Sequence, residues 1–217
     1  MHWNRLRIAA AISLIFLLTV TVAVLLLIRR QSHLMAGLQG QAGPTFVTPD
    51  AAKAVEAQQA AVTYARSMLG LPYDPLMGKY GDPFGHVGFV VCIDVPIRAY
   101  LAAGVPIPTL MKQSAKEHPD WFKIGPNNAP SNSFFYRRVR NYQDLFKNHP
   151  GLMISDRPQS GDWAFYGRTH IALVAEVSPD GRFQVIEASP IKMRVALSSD
   201  DYMLRTWGAP TFFGRLR

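Results

Sequence analysis

Residues 161–189 read GDWAFYGRTHIALVAEVSPDGRFQVIEAS, and this stretch decides the fold class. Gly161-Asp162 forms a turn into the short apolar run Trp163–Tyr166, and His170-Ile171-Ala172-Leu173-Val174-Ala175-Glu176-Val177 follows as an apolar strand. Ser178-Pro179-Asp180-Gly181 is a strong hairpin turn, because proline presets one turn dihedral and glycine tolerates the left-handed one. Arg182 to Ala188 is then the return strand, with Phe183, Val185 and Ala188 as core candidates. Downstream, Met193–Leu197 and Thr211–Leu216 read as further strands.

Upstream the signals are helical. Thr48-Pro49-Asp50 is a helix start, with Thr48 as side-chain cap and Pro49 at the first helical position. The helix is expected to reach Met68 or Leu69, with Val55, Val62, Ala65 and Leu69 on one face and Gly70 as its stop. A Gly/Pro-rich loop runs from Leu71 to Gly88. Ile93 to Ala103 reads as a second helix ending at Gly104, with Pro96 in its first turn, where a missing N–H costs least. Met111 to Ser133 is polar and broken by prolines, and reads as a long loop or insertion. Helices first and an antiparallel sheet afterwards predict an α+β domain over residues 48–217.

An appendage precedes that domain. Residues 8–28 are an uncharged, mostly apolar run bounded by Arg5 and Arg7 before and by Arg29 and Arg30 after. About 20 such residues span a bilayer core as a helix, whereas the core of a cleaved signal peptide is about 7–15 residues long. The expectation is a short tail (1–7), an uncleaved transmembrane helix (8–28) and a linker (29–47). Basic residues on both sides leave the orientation unset by charge. A single early span usually exports its domain, which implies an inner-membrane protein with its domain in the periplasm or otherwise outside the cytoplasm.

Four arginines in the first 33 residues supply half of the net charge of +8; the remainder holds 19 basic and 15 acidic residues. That mild balance, without a Lys/Arg stripe interleaved with aromatics, gives no nucleic-acid footprint. The chain's single cysteine excludes an internal disulfide, a CxxC pair and any multi-cysteine zinc site. With no P-loop, GxGxxG or HExxH present, no cofactor or metal is expected.

The lone cysteine, Cys92, falls at the predicted start of the second helix, where unsatisfied N–H groups and the helix dipole favour thiolate. Lone cysteines are often merely buried, but an exported thiol without a partner is exposed to oxidation, and its retention suggests use. His170 opens an apolar strand, and a lone histidine at a strand edge is usually a surface or satisfied core residue. Glu187 stands in the apolar run Val185-Ile186-Glu187-Ala188, where a carboxylate is costly unless paired. A cross-strand imidazole is its natural partner: Glu187 would accept Nδ1–H, leaving the other nitrogen of His170 to face the thiolate. Nucleophile, base and orienting acid make a cysteine version of the catalytic triad.

Leu69-Gly70-Leu71-Pro72-Tyr73, a glycine loop, Gly88-Phe89-Val90-Val91-Cys92, Gly161-Asp162, His170-Ile171-Ala172-Leu173-Val174 and Ile186-Glu187-Ala188-Ser189 together resemble the NlpC-type cell-wall cysteine peptidase superfamily. The likeness covers roughly residues 50 to 190, and its specificity lies in the order of the motifs. Glu187 replaces a usual histidine, and Val91 and Ile93-Asp94 replace the family's Asp before and Ser-Gly after the cysteine. Cys92-Ile93-Asp94-Val95, Ile97-Arg98-Ala99 and Tyr136-Arg137-Arg138-Val139-Arg140-Asn141 resemble a branch carrying CTDV…IRA and HRRV-x-N segments.

The resemblance implies a papain-like fold, with Cys92 as nucleophile, His170 as general base, Glu187 as orienting residue and Tyr73 near the substrate or oxyanion. It implies hydrolysis of amide bonds in peptidoglycan stem peptides. Two alternatives stay open: a module binding wall peptide or an envelope protein without turnover, and a thiol acyltransferase. Asp94 has no assigned role. Arg98, Arg137 and Arg138 read either as structural ion pairs or as a contact to a substrate carboxylate.

Overall fold

The computed structural model describes residues 50–76 and 88–217. The tail, the apolar run 8–28, the linker, the Thr48–Pro49 cap and residues 77–87 of the glycine loop lie outside the described residues. Among the described residues, no helix is long and apolar enough to cross a membrane.

Six strands form one antiparallel sheet in the order β1-β6-β2-β3-β4-β5: β1 Leu152–Ser155, β2 Trp163–Tyr166, β3 His170–Val177, β4 Phe183–Ser189, β5 Arg194–Ser199 and β6 Phe212–Leu216. The hairpin read from sequence is at its centre, with Leu173 opposite Ile186 and a register shift between Val174 and Glu176. Alternation along the strands divides the sheet into two faces. Ile171, Leu173, Ala175, Ile186 and Ala188 join the main core beneath the helices. Ala172, Val174, Val185, Tyr166 and Phe213 make a second, smaller core on the opposite face.

Four helices build the main core: α1 Ala51–Ser67, α2 Asp94–Ala102, α3 Ile107–Glu117 and α4 Val139–Asn148. The cap of α1 is Asp50, whose carboxylate accepts the Lys53 N–H at 2.9 Å. Its buried face is Ala54, Gln58, Ala61, Val62 and Ala65, with Met68 beyond, whereas Val55 and Leu69 are 50% and 41% exposed. This small-residue face packs closely on α2, and at Gln58 it meets the Gly161 turn. A Cβ at Gly161 would stand 2.5 Å from Gln58 Cβ, and the backbone there has φ +91°, so only glycine fits. Next to it the buried Asp162 staples three segments, accepting from Arg215 Nη2 at 2.7 Å, the Gln159 N–H at 2.7 Å and Gln58 Nε2 at 3.3 Å.

The expected loop over 111–133 is in part helical. α3 buries Ile107, Leu110, Met111, Ser114 and Ala115 at helical spacing, and a 3-10 turn, Pro119–Trp121, follows it. α4 and the fifth helix, α5 (Asp200–Trp207), were not expected. The latter starts at Ser199, whose hydroxyl accepts the Tyr202 N–H at 3.3 Å, and it lays Met203 and Trp207 on the second core.

Candidate active site

Cys92 sits two residues before α2, in the turn that delivers the chain into the helix. That turn is pinned by Asp94 at the first helical position, which accepts the Val91 N–H at 2.9 Å. Arg137, from the 3-10 helix Ser133–Arg137, grips the same carboxylate with two bonds, Nη2 at 2.6 Å and Nε at 3.2 Å. Both side chains are buried, and the two-point geometry fixes the height of the cysteine relative to α4. Arg98 donates to the Phe89 carbonyl at 3.2 Å, further tightening the entry to α2. Asp94 and Arg137 are thus one buried ion pair, and Arg138 donates to the Asn127 carbonyl at 2.7 Å.

The Cys92 thiol donates to the Thr169 carbonyl at 3.9 Å, and the Ile171 N–H lies against the sulfur. The nucleophile candidate therefore rests on the main chain on both sides of His170. Burial pushes the thiol up to about 12, and the charge of Asp94 adds to that. The Ile171 and Ile93 N–H groups and Arg137 pull the other way without cancelling it. The sequence expectation of a dipole-stabilised thiolate is corrected here: an acid in the first turn and desolvation outweigh the helix end, so the resting species is the thiol.

His170 and Glu187 are brought together. Nε2 of His170 lies 2.9 Å from Glu187 Oε2, and the pair is 2% and 0% exposed. The nitrogen differs from the one expected: Glu187 takes Nε2, which leaves Nδ1 as the ring's other basic position. The ring orientation is set by Trp207 of α5, stacked on the imidazole at a centroid distance of 3.9 Å and an interplanar angle of 6°. Ser198 donates to Glu187 Oε1 at 2.7 Å, and Lys192 donates to Ser198 at 2.6 Å. Burial raises the Glu187 carboxyl, but the bonds from His170 and Ser198 and the charge of Lys192 outweigh it, and the net direction is downward. Glu187 is an anion with every contact directed at keeping it one.

Alternation puts the His170 ring with Ala172 and Val174 on the α5 face, while Cys92 packs on the main-core side. Among the described residues, the thiol's hydrogen-bond partner is the Thr169 carbonyl and not the imidazole. A cleft of about 370 Å³ opens over Cys92 and is lined by Tyr73, Arg137, Arg138, Arg140 and Thr169 among others; His170 is not among its lining residues. Tyr73 enters through a bridge to Val90, and its N–H donates to the Met193 carbonyl at 3.0 Å. Its hydroxyl is pushed up to about 12, by burial first and then by Cys92 and the nearby acids, so it is a hydrogen-bond donor at neutral pH. The Cys92 N–H has no acceptor among the described residues.

Sequence reasoning missed Trp207, Ser198, Lys192 and Arg140. Their signal was weak: each lies on an element whose place beside the site is set by the sheet, not by local pattern. Among the described residues, no three His, Cys, Asp or Glu side chains are grouped to hold a metal ion.

Neither a protein-family model nor a curated protein matches the chain. Solved structures do. The peptidoglycan hydrolase RipB from Mycobacterium tuberculosis is 20% identical, with 85% of this chain and 78% of that one covered and a TM-score of 0.47. The resuscitation promoting factor interacting protein RipA is 17% identical, covering 80% and 69%, with a TM-score of 0.42. An N-acetylmuramoyl-L-alanine amidase from Bacteroides uniformis is 12% identical, covering 74% and 99%, with a TM-score of 0.37.

Proposed function

We propose that this chain is a cysteine hydrolase that cleaves amide bonds in peptidoglycan stem peptides, held at the inner membrane by residues 8–28 with its domain outside the cytoplasm. One observation carries the reading: a buried Glu187–His170 pair opens β3, and the single thiol of the chain rests on the main chain flanking that histidine while facing a cleft.

The chemistry follows from those positions. Glu187 holds the Nε2 proton and so presents Nδ1 as the base. This reading requires the thiol to leave the Thr169 carbonyl and come within reach of that nitrogen when substrate is bound, since in the substrate-free site the thiol bonds the carbonyl and not the imidazole. Because the thiol is protonated at rest, proton transfer to His170 accompanies formation of the sulfur–carbon bond. The Cys92 N–H, with the Tyr73 hydroxyl nearby, faces the developing oxyanion. The imidazolium then protonates the leaving amine as the carbon–nitrogen bond breaks, giving a thioester. Water, deprotonated by the same nitrogen, attacks the thioester, and the proton returns to sulfur as the acid leaves.

A second reading, a wall-peptide-binding module without turnover, is favoured by one specific observation: the thiol is bonded to a carbonyl and its acidity is suppressed. A synthetic stem tetrapeptide separates the two. Hydrolysis predicts a new amino group and, on rapid acid quench, an acyl mass on Cys92 in the wild type and in neither Cys92→Ala nor His170→Ala. Saturable peptide binding with no new amine in the wild type refutes the hydrolase in favour of the module.

A further inference from the structure

The imidazole of His170 is enclosed by more than its acid. Glu187 meets the ring at its edge, with Oε2 2.9 Å from Nε2. Trp207 covers a face, with ring centroids 3.9 Å apart and planes 6° from parallel. Tyr166 stands tilted against the same ring at 6.1 Å. Among the described residues these three are the hydrogen-bonding and ring partners of the histidine, and none of them bonds Nδ1.

Trp207 occupies that place at a cost. It is the last residue of α5, and Gly208 stops the helix directly behind it with φ +84° and an N–H donated to the Leu204 carbonyl at 3.0 Å. The indole Nε1 is buried and finds no hydrogen-bond partner among the described residues. A buried donor without an acceptor costs free energy that leucine or phenylalanine in the same place would not incur. What the indole offers over those residues is a wide, electron-rich ring face, the strongest side-chain surface for a cation. The first turn of α5 already uses an aromatic face in this way, with Lys192 Nζ 3.7 Å from the centre of the Tyr202 ring.

We propose that Trp207 is a positioning residue that acts through His170: its indole face holds the ring with Nε2 on Glu187 and Nδ1 free, and it carries the positive charge that the ring acquires when Cys92 gives up its proton. The charge-carrying role rests on the hydrolase reading above, whereas the ring-holding role rests only on the stack. In that reading the proton leaves the Cys92 sulfur for Nδ1 as the sulfur–carbon bond forms, and leaves Nδ1 for the departing nitrogen as the carbon–nitrogen bond breaks. The ring is a neutral base before the first event and a cation between the two. Attraction between indole and imidazolium is therefore stronger at the transition state than in the bound ground state, and it acts on kcat rather than KM. Trp207 does not line the cleft over Cys92, so its route to the reaction is the imidazole.

Two variants of the full chain test this, W207M without a ring and W207F with a ring face but no N–H. On the stem tetrapeptide, kcat should fall about three- to thirtyfold in W207M with KM little changed, the range of a desolvated cation–ring contact, and W207F should recover most of the loss. A merely structural role would leave no such split between kcat and KM and no rescue by phenylalanine. A second readout needs no turnover: NMR of the full chain labelled at histidine, with the His170 signals assigned by their loss in H170Q. In wild type and W207F the carbon-bound ring protons should lie upfield of those of free histidine, shielded by the stacked ring, and the Nε2–H should be protected from solvent exchange. In W207M both features should be lost. Unshielded His170 protons in wild type overturn the proposal even if W207M fails to fold. So does an unchanged kcat in W207M, or a loss in W207F as large as that in W207M. A shielded, protected ring in a wild type that hydrolyses nothing defeats the hydrolase reading and leaves the ring-holding role standing; hydrolysis with an unshielded ring defeats only the role of Trp207.

Discussion

Replacing Glu187 by Gln tests how the buried pair is held. The carboxylate accepts from His170 at 2.9 Å and from Ser198 at 2.7 Å, with Lys192 at 3.9 Å. Glutamine keeps the volume but has one acceptor oxygen for two donors, and its amide would turn N–H groups toward Ser198 or His170. One hydrogen bond to a charged group is lost, a stabilisation of about 1.5–3 kcal/mol. Truncation to Ala leaves both donors and the lysine uncompensated and should cost about 3–5 kcal/mol, the range for breaking a buried pair. For a domain of this size a loss of 1.5–3 kcal/mol lowers Tm by roughly 3–12 °C.

The pH dependence has a definite sign. The folded Glu187 carboxyl lies below its ordinary value of 4.5, so its contribution is complete above that value and is lost as pH falls through the folded value. Urea denaturation of wild type and E187Q at pH 7 and at pH 3–4 should therefore show a gap that narrows in acid. Equal stability at pH 7, or a gap constant over the whole range, refutes the description of Glu187 as a hydrogen-bonded buried anion.

Iodoacetamide should label Cys92 at neutral pH at least about a hundredfold more slowly than a free cysteine, with a rate that rises through pH 10 because the thiol is pushed up to about 12; a plateau below pH 9, followed by mass spectrometry, would contradict that. Gly161→Ala should destabilise the fold by about 2–5 kcal/mol, combining a 2.5 Å clash with Gln58 and left-handed strain, and thermal unfolding within 1 °C of wild type would contradict it. Arg137→Met should cost about 3–5 kcal/mol by stranding the Asp94 charge, as read by urea unfolding, and a neutral result would mean that the Asp94–Arg137 pair does not hold the turn. Ser198→Ala should cost about 1.5–3 kcal/mol by depriving Glu187 Oε1 of its closest donor, and unchanged stability would remove Ser198 from the network.

The central hairpin was legible because Ser178-Pro179-Asp180-Gly181 imposes a local geometry and the flanking runs are too apolar to be left outside; β3 occupies the residues read for it. The buried face of α1 was misread because large residues were followed, whereas the face turned inward is Ala54, Gln58, Ala61, Val62 and Ala65, packed on α2 and, at Gln58, on the Gly161 turn. α4 was hidden by its polar surface: Val139, Tyr142, Leu145 and Phe146 are buried at helical spacing among Arg140, Asp144 and Lys147. At the site, the His170–Glu187 pairing was legible since a carboxylate in an apolar run needs a partner. Which ring nitrogen it takes was not, because Trp207, far along the chain, sets the ring. The Asp94–Arg137 pair, whose members lie 43 residues apart, shows why one of the unexplained arginines had no readable role.

Digestion of purified sacculi by the full chain tests the central claim most directly. The account predicts soluble muropeptides from wild type, a loss of at least a hundredfold in Cys92→Ala and in His170→Ala, and partial loss in E187Q. Equal release by wild type and Cys92→Ala, or release by neither over a broad range of pH and salt, would contradict it.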